Sequence, residues 1–255
     1  MVVDELIFWH WLGGPNIERP PVPQGAGGLR CLCHVTRPYG YSVSAPAPVR
    51  PLLRGWLHVV GAVALAGASP LLFARARHWS QVGWILCYVL GVEAMFITSA
   101  LFHRVRWSPG HRRAFKRADH SAIFLAITGS YLAIAGLTMH GSIRLVLLLI
   151  VIAGALVGVA VRQWAIDAPK WVNTLPYLVV GWAAVAVLPQ IYRGGGPECF
   201  SLVVGGGLAY TLGALAYALK RPRLSPRIFG YHELFHLGTL VGAGLNFWAI
   251  GVALR

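Results

Sequence analysis

The chain has 255 residues, of which 56% are apolar and only 12% are charged, with a mean hydropathy of +0.62. A soluble domain carries about a quarter charged residues, so this composition excludes an ordinary soluble domain and indicates an integral membrane protein. The net charge of +14 does not indicate nucleic-acid binding, because the basic residues lie in short segments between apolar runs rather than on one soluble face.

The first 51 residues form a tail rich in proline, glycine and arginine. Its apolar patch, Leu6–Leu12, is too short to span a bilayer, which needs about 20 residues. Asp4 and Glu5 precede the patch where a cleavable signal peptide carries positive charge, so no such signal is predicted. We expect residues 1–51 to be disordered, because the tail cannot bury enough apolar surface to offset the cost of ordering.

Residues 52–255 are expected to form one membrane domain, because seven apolar runs of near-membrane length follow the tail. All seven are predicted to be helices, since lipid offers no partner to unpaired backbone groups. The short connections favour antiparallel neighbours, so the predicted fold class is an all-α, seven-transmembrane-helix bundle. The runs are Gly55–Phe73, Gln81–His103, Asp119–Met139, Leu145–Val161, Thr174–Tyr192, Cys199–Leu219 and Tyr231–Leu254.

The basic residues between the runs predict the orientation of the bundle. If the N-terminus is inside, the inside segments hold 17 of the Lys and Arg residues and the outside segments hold five. The positive-inside rule therefore predicts an inside N-terminus and an outside C-terminus. The expected location is the plasma (inner) membrane, with membrane lipids as the expected partners.

Three parts of the sequence place ionisable residues at the same, cytoplasmic end of this topology. His103 ends the second run, Asp119 opens the third, and HELFH (His232–His236) opens the seventh. Ionisable groups inside a membrane are costly and each needs a reason. His232 and His236 are four positions apart (i, i+4) and so project from one helix face. Ser99 and His103 have the same spacing.

Three imidazoles predict a metal site of the catalytic kind. His103, His232 and His236 would leave the fourth position of a tetrahedral zinc ion open for a water, whose pKa the metal lowers to near 7. Asp119 would then act as the general base, and Ser99 would hydrogen-bond the water or a developing oxyanion. Other divalent ions suit the same ligands.

Simpler interpretations of the ionisable residues are also open. Asp119 could favour a helix N-terminus through the macrodipole, or form an ion pair with Arg113, Lys116 or Arg117. Glu93, deep in the second run, is not assigned to the metal. The remaining histidines of the membrane domain are expected at the headgroup level, where an isolated histidine is tolerated; they are His58, His78, His111, His120 and His140.

Several motifs together resemble the adiponectin and progestin receptor family, and in particular its bacterial branch, haemolysin III. The resemblance covers nearly everything from Arg54 onward and implies a seven-helix bundle with an inside N-terminus. It also implies a zinc held by His103, His232 and His236, with Asp119 and Ser99 near the metal-bound water. The motifs are RGWLHVVG (Arg54–Gly61), SALFH (Ser99–His103), RADHSAIFLAITGSY (Arg117–Tyr131), YLVVGW (Tyr177–Trp182), GGLAYTLGALAYALKRP (Gly206–Pro222) and FGYHELFH (Phe229–His236).

The preferred functional hypothesis is a zinc-dependent membrane hydrolase of lipid amides or esters that uses a zinc-bound water at the cytoplasmic side. The alternatives are a pore-forming or haemolytic protein and a receptor-like sensor, each with structural zinc. The literal H-E-x-x-H pattern also raises an intramembrane protease. That hypothesis is disfavoured, because nothing after His236 can supply a third ligand and Glu233 projects away from both histidines.

Overall fold

The computed structural model describes residues 51–255 except Ile166, Arg223 and Pro226, so residues 1–50 of the predicted disordered tail lie outside the described residues. The described part is helical, and its only β-type pairing is an isolated bridge between Ser225 and Phe229. The helices are α1 (Trp56–Phe73), α2 (Trp79–Arg104), α3 (Pro109–Thr138), α4 (Gly141–Trp164), α5 (Lys170–Trp182), a 3₁₀ helix (Ala183–Val187), α6 (Leu188–Leu219) and α7 (Tyr231–Ala253).

Six helical segments of the described chain are long and apolar enough to cross a membrane. One of them, Lys170–Leu219, contains both the fifth and the sixth predicted runs. Gly196 interrupts the helical geometry between those two runs, with φ 78° and ψ 175°. The indole of Trp182 donates a hydrogen bond to Thr211 Oγ1 at 3.2 Å. A straight helix would separate these residues by about 43 Å, so the chain reverses direction within the segment.

Helix α3 begins earlier than the apolar pattern predicted. It starts at Pro109, directly after the N-cap residue Ser108, whereas the prediction placed Asp119 at the helix start. Proline suits the first helical position because its missing N–H has no partner there. The first turns of α3 are basic and exposed, so an apolar pattern could not detect them. Asp119 therefore lies well inside the helix, and the macrodipole interpretation of this residue is wrong.

Helices α2 and α3 pack with their backbones close together. A Cβ atom on Gly91 would overlap the carbonyl oxygen of Leu125, and one on Gly129 would overlap that of Cys87. Small residues at such contacts let membrane helices approach closely. This contact aligns the end of α2, which carries His103, with the part of α3 that carries Asp119.

Helices α6 and α7 approach each other in the same way near the start of α7. A Cβ atom on Gly238 would lie 3.0 Å from Cα of Gly213. Gly238 follows His236 by two residues, so the close contact fixes the part of α7 that presents the histidines.

The segment before α1 pairs with the segment before α7. Leu52 N–H donates to the carbonyl of Arg227 at 2.9 Å, and Leu53 N–H donates to that of Ile228 at 3.3 Å. These backbone hydrogen bonds join two segments of the chain that are far apart in sequence. They hold the first turns of α1 and α7 side by side, at the end of the bundle where the predicted site lies.

Candidate metal centre

His103, His232 and His236 form a cluster in which one nitrogen from each ring lies within 4.8 Å of the others. The ring centroids are 4.9 Å apart for His103 and His232, 5.1 Å for His103 and His236, and 4.8 Å for His232 and His236. His103 and His236 are buried, and His232 is half-buried. The cluster can hold a metal ion, as its sequence positions predicted.

Glu233, between the two α7 histidines, has a structural partner. Its side chain is 1% exposed and forms an ion pair with Arg54, which lies just before α1. Its other oxygen accepts a hydrogen bond at 2.8 Å from the backbone N–H of Gly230, at the start of α7. The glutamate therefore ties the start of α7 to the start of α1 and thereby fixes the two histidines beside it.

The start of α1 lies directly against His103. Gly55 has a positive φ of 84°, and a Cβ atom there would lie 2.8 Å from Cβ of His103. Both observations require glycine. Residues with a side chain rarely adopt this backbone region, and a Cβ atom would be too close to His103. The absence of a side chain at Gly55 lets the chain turn into α1 without displacing the histidine.

Asp119 faces the histidine cluster. Its carboxylate lies 3.9 Å from Nε2 of His103, and its residue is buried. Ser99, one turn before His103 on α2, is 2% exposed and is near enough for its hydroxyl to bond the Asp119 carboxyl. The structure thus brings all five predicted site residues together.

Two of the three basic residues named above as possible partners of Asp119 bond another carboxylate. Lys116 donates to Asp167 at 2.8 Å, and Arg113 approaches the same carboxylate at 3.5 Å. Asp167 lies in the connection between α4 and α5, and the hydrogen bond from Lys116 lowers the pKa of its carboxyl. Arg113 and Lys116 are therefore partners of Asp167 rather than of Asp119.

A small cavity of about 30 Å³ lies between these side chains. Ser99, Asp119, His232 and His236 line it, together with aromatic residues from α5 and α6. A volume of this size accommodates about one water molecule. The described site can therefore enclose an ion or a water as it stands, and a larger molecule requires the surrounding helices to separate.

Two histidines that were expected to be isolated at the headgroup level have close partners instead. His58 of α1 is 2% exposed, and its ring stacks on His236 with a centroid distance of 4.0 Å and an interplanar angle of 18°. His58 is therefore not the isolated histidine that was predicted, although a sequence signal for this was available. Its position in the first turns of the first run places it at the same end of the bundle as the other site residues.

His120 is the second misassigned histidine. It contacts the guanidinium of Arg162, which is 1% exposed and also bonds Asn173 and the carbonyl of Ala165. These partners are neutral, and they enclose the arginine beside the cavity that His120 and Asn173 help to line. The remaining three histidines, His78, His111 and His140, are exposed.

Comparison with known proteins identifies the family. The haemolysin-III-related family model matches residues 47–247, and the chain belongs to that family, the haemolysin III branch of the adiponectin and progestin receptor family. It is therefore a multi-pass membrane protein.

Among its relatives, the chain is 26% identical to hemolysin-3 of Bacillus cereus over 76% of this chain and 86% of that protein. It is also 25% identical to the hemolysin-3 homolog of Bacillus subtilis, over 76% and 89% of the two chains. A human protein, the monocyte to macrophage differentiation factor, is 26% identical over 73% of this chain and 76% of its own.

Proposed function

We propose that this protein is a zinc-dependent hydrolase of lipid amides or esters in the plasma (inner) membrane. The observation that carries the proposal is the set of three imidazoles, two of them buried, beside the buried carboxylate of Asp119, which lies 3.9 Å from Nε2 of His103. Three protein ligands leave one coordination position open, which is typical of catalytic rather than structural zinc sites.

The proposed topology has seven crossings, with the N-terminus inside and the C-terminus outside. The chain reversal within Lys170–Leu219 supports two crossings there. The excess of Lys and Arg on the segments assigned to the inside supports the orientation. With this topology the histidine cluster faces the cytoplasm.

The donor set fits zinc, because neutral imidazoles are among its usual ligands and all three come from well-packed helices. A bound zinc ion would polarise the substrate carbonyl and lower the pKa of a water molecule. His103, His232 and His236 would hold the ion, and the Arg54–Glu233 pair would keep the α7 histidines in position.

In this proposal Asp119 accepts a proton from the attacking water and returns it to the leaving group. Ser99 orients that carboxylate or donates a hydrogen bond to the developing oxyanion. Glu233 is not available as the base, because Arg54 and the Gly230 N–H already occupy its two oxygens. This occupancy argues against the protease interpretation of the HELFH motif.

A lipid substrate suits the surroundings of the cavity. An open, mainly apolar groove of about 640 Å³ lies along α6 and α7, and Leu212, Ala216 and Leu234 are part of its lining. Ala216 and Leu234 directly precede Tyr217 and Phe235, which line the cavity at the histidines. An acyl chain in this groove would place its carbonyl end near the site after a small separation of the helices.

The test is lipid hydrolysis by purified protein in detergent, with zinc content measured on the same samples. Asp119→Asn should retain zinc and lose at least about 100-fold in kcat, because general-base catalysis contributes about 10²–10⁴-fold. Asp167→Asn is the matched control and should leave kcat unchanged. Equal hydrolysis by the wild type and Asp119→Asn, with zinc bound in both, would contradict the proposal.

A second candidate function rests on the names of the bacterial relatives, which are called hemolysins. In that case the chain would permeabilise membranes and zinc would be structural. Dye leakage from liposomes separates the two candidates. Leakage that persists after zinc removal supports the haemolytic function, and its absence at high protein load contradicts it.

A further inference from the structure

Arg162, in the last turn of α4, is a buried cation that the proposed hydrolysis does not use. Its side chain is 1% exposed, and its guanidinium donates to Asn173 Oδ1, to Nδ1 of His120 and, at 3.2 Å, to the carbonyl of Ala165. A guanidinium can only donate, so Nδ1 of His120 carries a lone pair and all three acceptors are neutral. Nε of Arg162 is also buried and has no hydrogen-bond partner among the described residues.

No carboxylate of the described chain compensates the charge of Arg162, which takes part in none of the ion pairs found there. Asp167, Glu198 and Glu233 each pair with another cation. Asp119 lies beside the histidine cluster instead. A charge without a partner is costly to take out of water, and an ionisable residue buried in a membrane protein indicates a function. The arrangement therefore calls for an anion from outside the chain.

A second cation, Lys170 at the start of α5, also has neutral partners. Its Nζ donates to the hydroxyl of Tyr231 at 2.5 Å and lies 4.6 Å from the ring centroid of Tyr217. Tyr217 lines the cavity at the histidines, and so do two of the three partners of Arg162. The side chains that surround this cavity are therefore in contact with two cations that have no carboxylate partner.

We infer that this part of the cavity binds the phosphate of a membrane lipid, with Arg162 as the main contact and Lys170 as a second cation. A guanidinium presents paired N–H donors that match the oxygens of a phosphate. Two cations favour a phosphate monoester over a carboxylate, because the monoester carries about two negative charges near neutral pH. In the proposed topology Arg162 lies at the cytoplasmic end of α4, and basic pockets between membrane helices on that side bind lipid headgroups.

The binding site goes beyond the proposed hydrolase function, because it requires neither a metal ion nor turnover. The cavity volume of about 30 Å³ is too small for a phosphate, so the helices must separate when the lipid binds. The separation that would admit an acyl chain to the site would also admit the headgroup.

The experiment measures equilibrium binding of two lipids to the purified full-length protein in detergent. Phosphatidic acid and diacylglycerol with the same acyl chains differ only in the phosphate. We expect the wild type to bind phosphatidic acid more tightly. Arg162→Gln keeps N–H donors but removes the charge, so it should lower the affinity for phosphatidic acid about 10- to 100-fold, the equivalent of one charge-assisted hydrogen bond. Its affinity for diacylglycerol should not change. Equal wild-type affinities for the two lipids, or unchanged binding of phosphatidic acid by Arg162→Gln, would overturn the inference.

Arg106→Gln is the matched control for general attraction between basic residues and an anionic lipid. Arg106 is exposed and lies between α2 and α3, at the same end of the bundle. The variant should retain the wild-type preference for phosphatidic acid. Equal losses in Arg106→Gln and Arg162→Gln would contradict a specific site.

Salt dependence of the wild type provides a second measurement in case Arg162→Gln does not fold. A buried contact is screened much less than an exposed one, so the preference for phosphatidic acid should persist at about 1 M NaCl. A preference that disappears at that concentration would place the lipid on the exposed basic surface and overturn the inference.

Two competitors identify the anion and its source. Inorganic phosphate lacks acyl chains, so a large excess should leave phosphatidic acid bound. Displacement at concentrations similar to that of the lipid would assign the site to free phosphate and overturn the assignment to a lipid. A fatty acid with the same acyl chain should bind more weakly than phosphatidic acid. Equally tight binding that also depends on Arg162 would overturn the assignment to phosphate. None of these measurements uses turnover, so a protein that hydrolyses no lipid would still test the inference.

Discussion

The two ends of the bundle each carry an arginine–glutamate pair, but the pairs lie in different surroundings. At the histidine end, Arg54 and Glu233 have side chains that are 22% and 1% exposed. At the opposite end, Arg255 and Glu198 lie 2.9 Å apart and are 56% and 50% exposed. The first pair connects the starts of α1 and α7 beside the candidate ligands, whereas the second lies in open surroundings.

The comparison shows that the contribution of an ion pair to stability depends on its surroundings. An exposed pair gains little, because water screens the charges and two long side chains must be fixed. A buried pair is costly to form but is strongly destabilising to break, since one charge then remains without compensation. The histidine end therefore depends on its pair, and the opposite end does not.

The largest effect is expected from Glu233→Ala. The change leaves Arg54 without its partner and the Gly230 N–H without its acceptor, so the free energy of unfolding should fall by about 3 kcal/mol. Glu198→Ala at the opposite end is the matched control and should cost less than about 1 kcal/mol. Unfolding in mixed micelles measures both, and equal losses would show that the two pairs are equivalent.

A smaller effect is expected from Gly55→Ala at the histidine end. The new Cβ would meet His103 and the positive φ would be strained, so we expect a loss of about 1–3 kcal/mol. Zinc affinity should also fall, because His103 must move. Gly67→Ala, in the helix that follows Gly55, is the control, since a Cβ there meets nothing within 4 Å. Normal zinc affinity in Gly55→Ala would contradict the proposed contact.

The smallest effect is expected from Asp167→Asn, because Asp167 and Lys116 are 69% and 33% exposed. The bond from Lys116 lowers the pKa of Asp167 in the folded protein. Its stabilising contribution is therefore present above the pKa of the unfolded chain and is lost as the pH falls through the folded pKa. We expect a difference of at most about 1 kcal/mol near neutral pH that disappears in acid. A difference that persists in acid would show that another interaction is responsible.

Much of the helical architecture could be predicted from the sequence, because apolar runs must be helical in lipid. The prediction was least accurate where helices leave the membrane. The basic start of α3 is invisible to an apolar pattern, since its charged residues are exposed. The reversal near Gly196, in contrast, lies between the fifth and sixth predicted runs, where antiparallel neighbours were expected.

The five residues of the candidate site could be predicted from the sequence, because the predicted topology placed them at one end of the bundle. The contacts around these five residues could not be predicted from the sequence. The partner of Glu233 is 179 residues away in sequence, and no local pattern identifies Arg54. His58 was judged as an isolated histidine, although its burial depends on the packing of α1 against α7. Such long-range contacts are properties of the packed helices rather than of any one segment.

The most direct test of the central claim is metal analysis of protein purified without chelator. The account predicts about one zinc ion per chain in the wild type, retention of that zinc in His111→Ala, whose histidine is exposed, and its loss in His103→Ala and His236→Ala. Wild-type protein without bound metal after incubation with zinc, or zinc retained at full occupancy in the His103→Ala and His236→Ala variants, would contradict it.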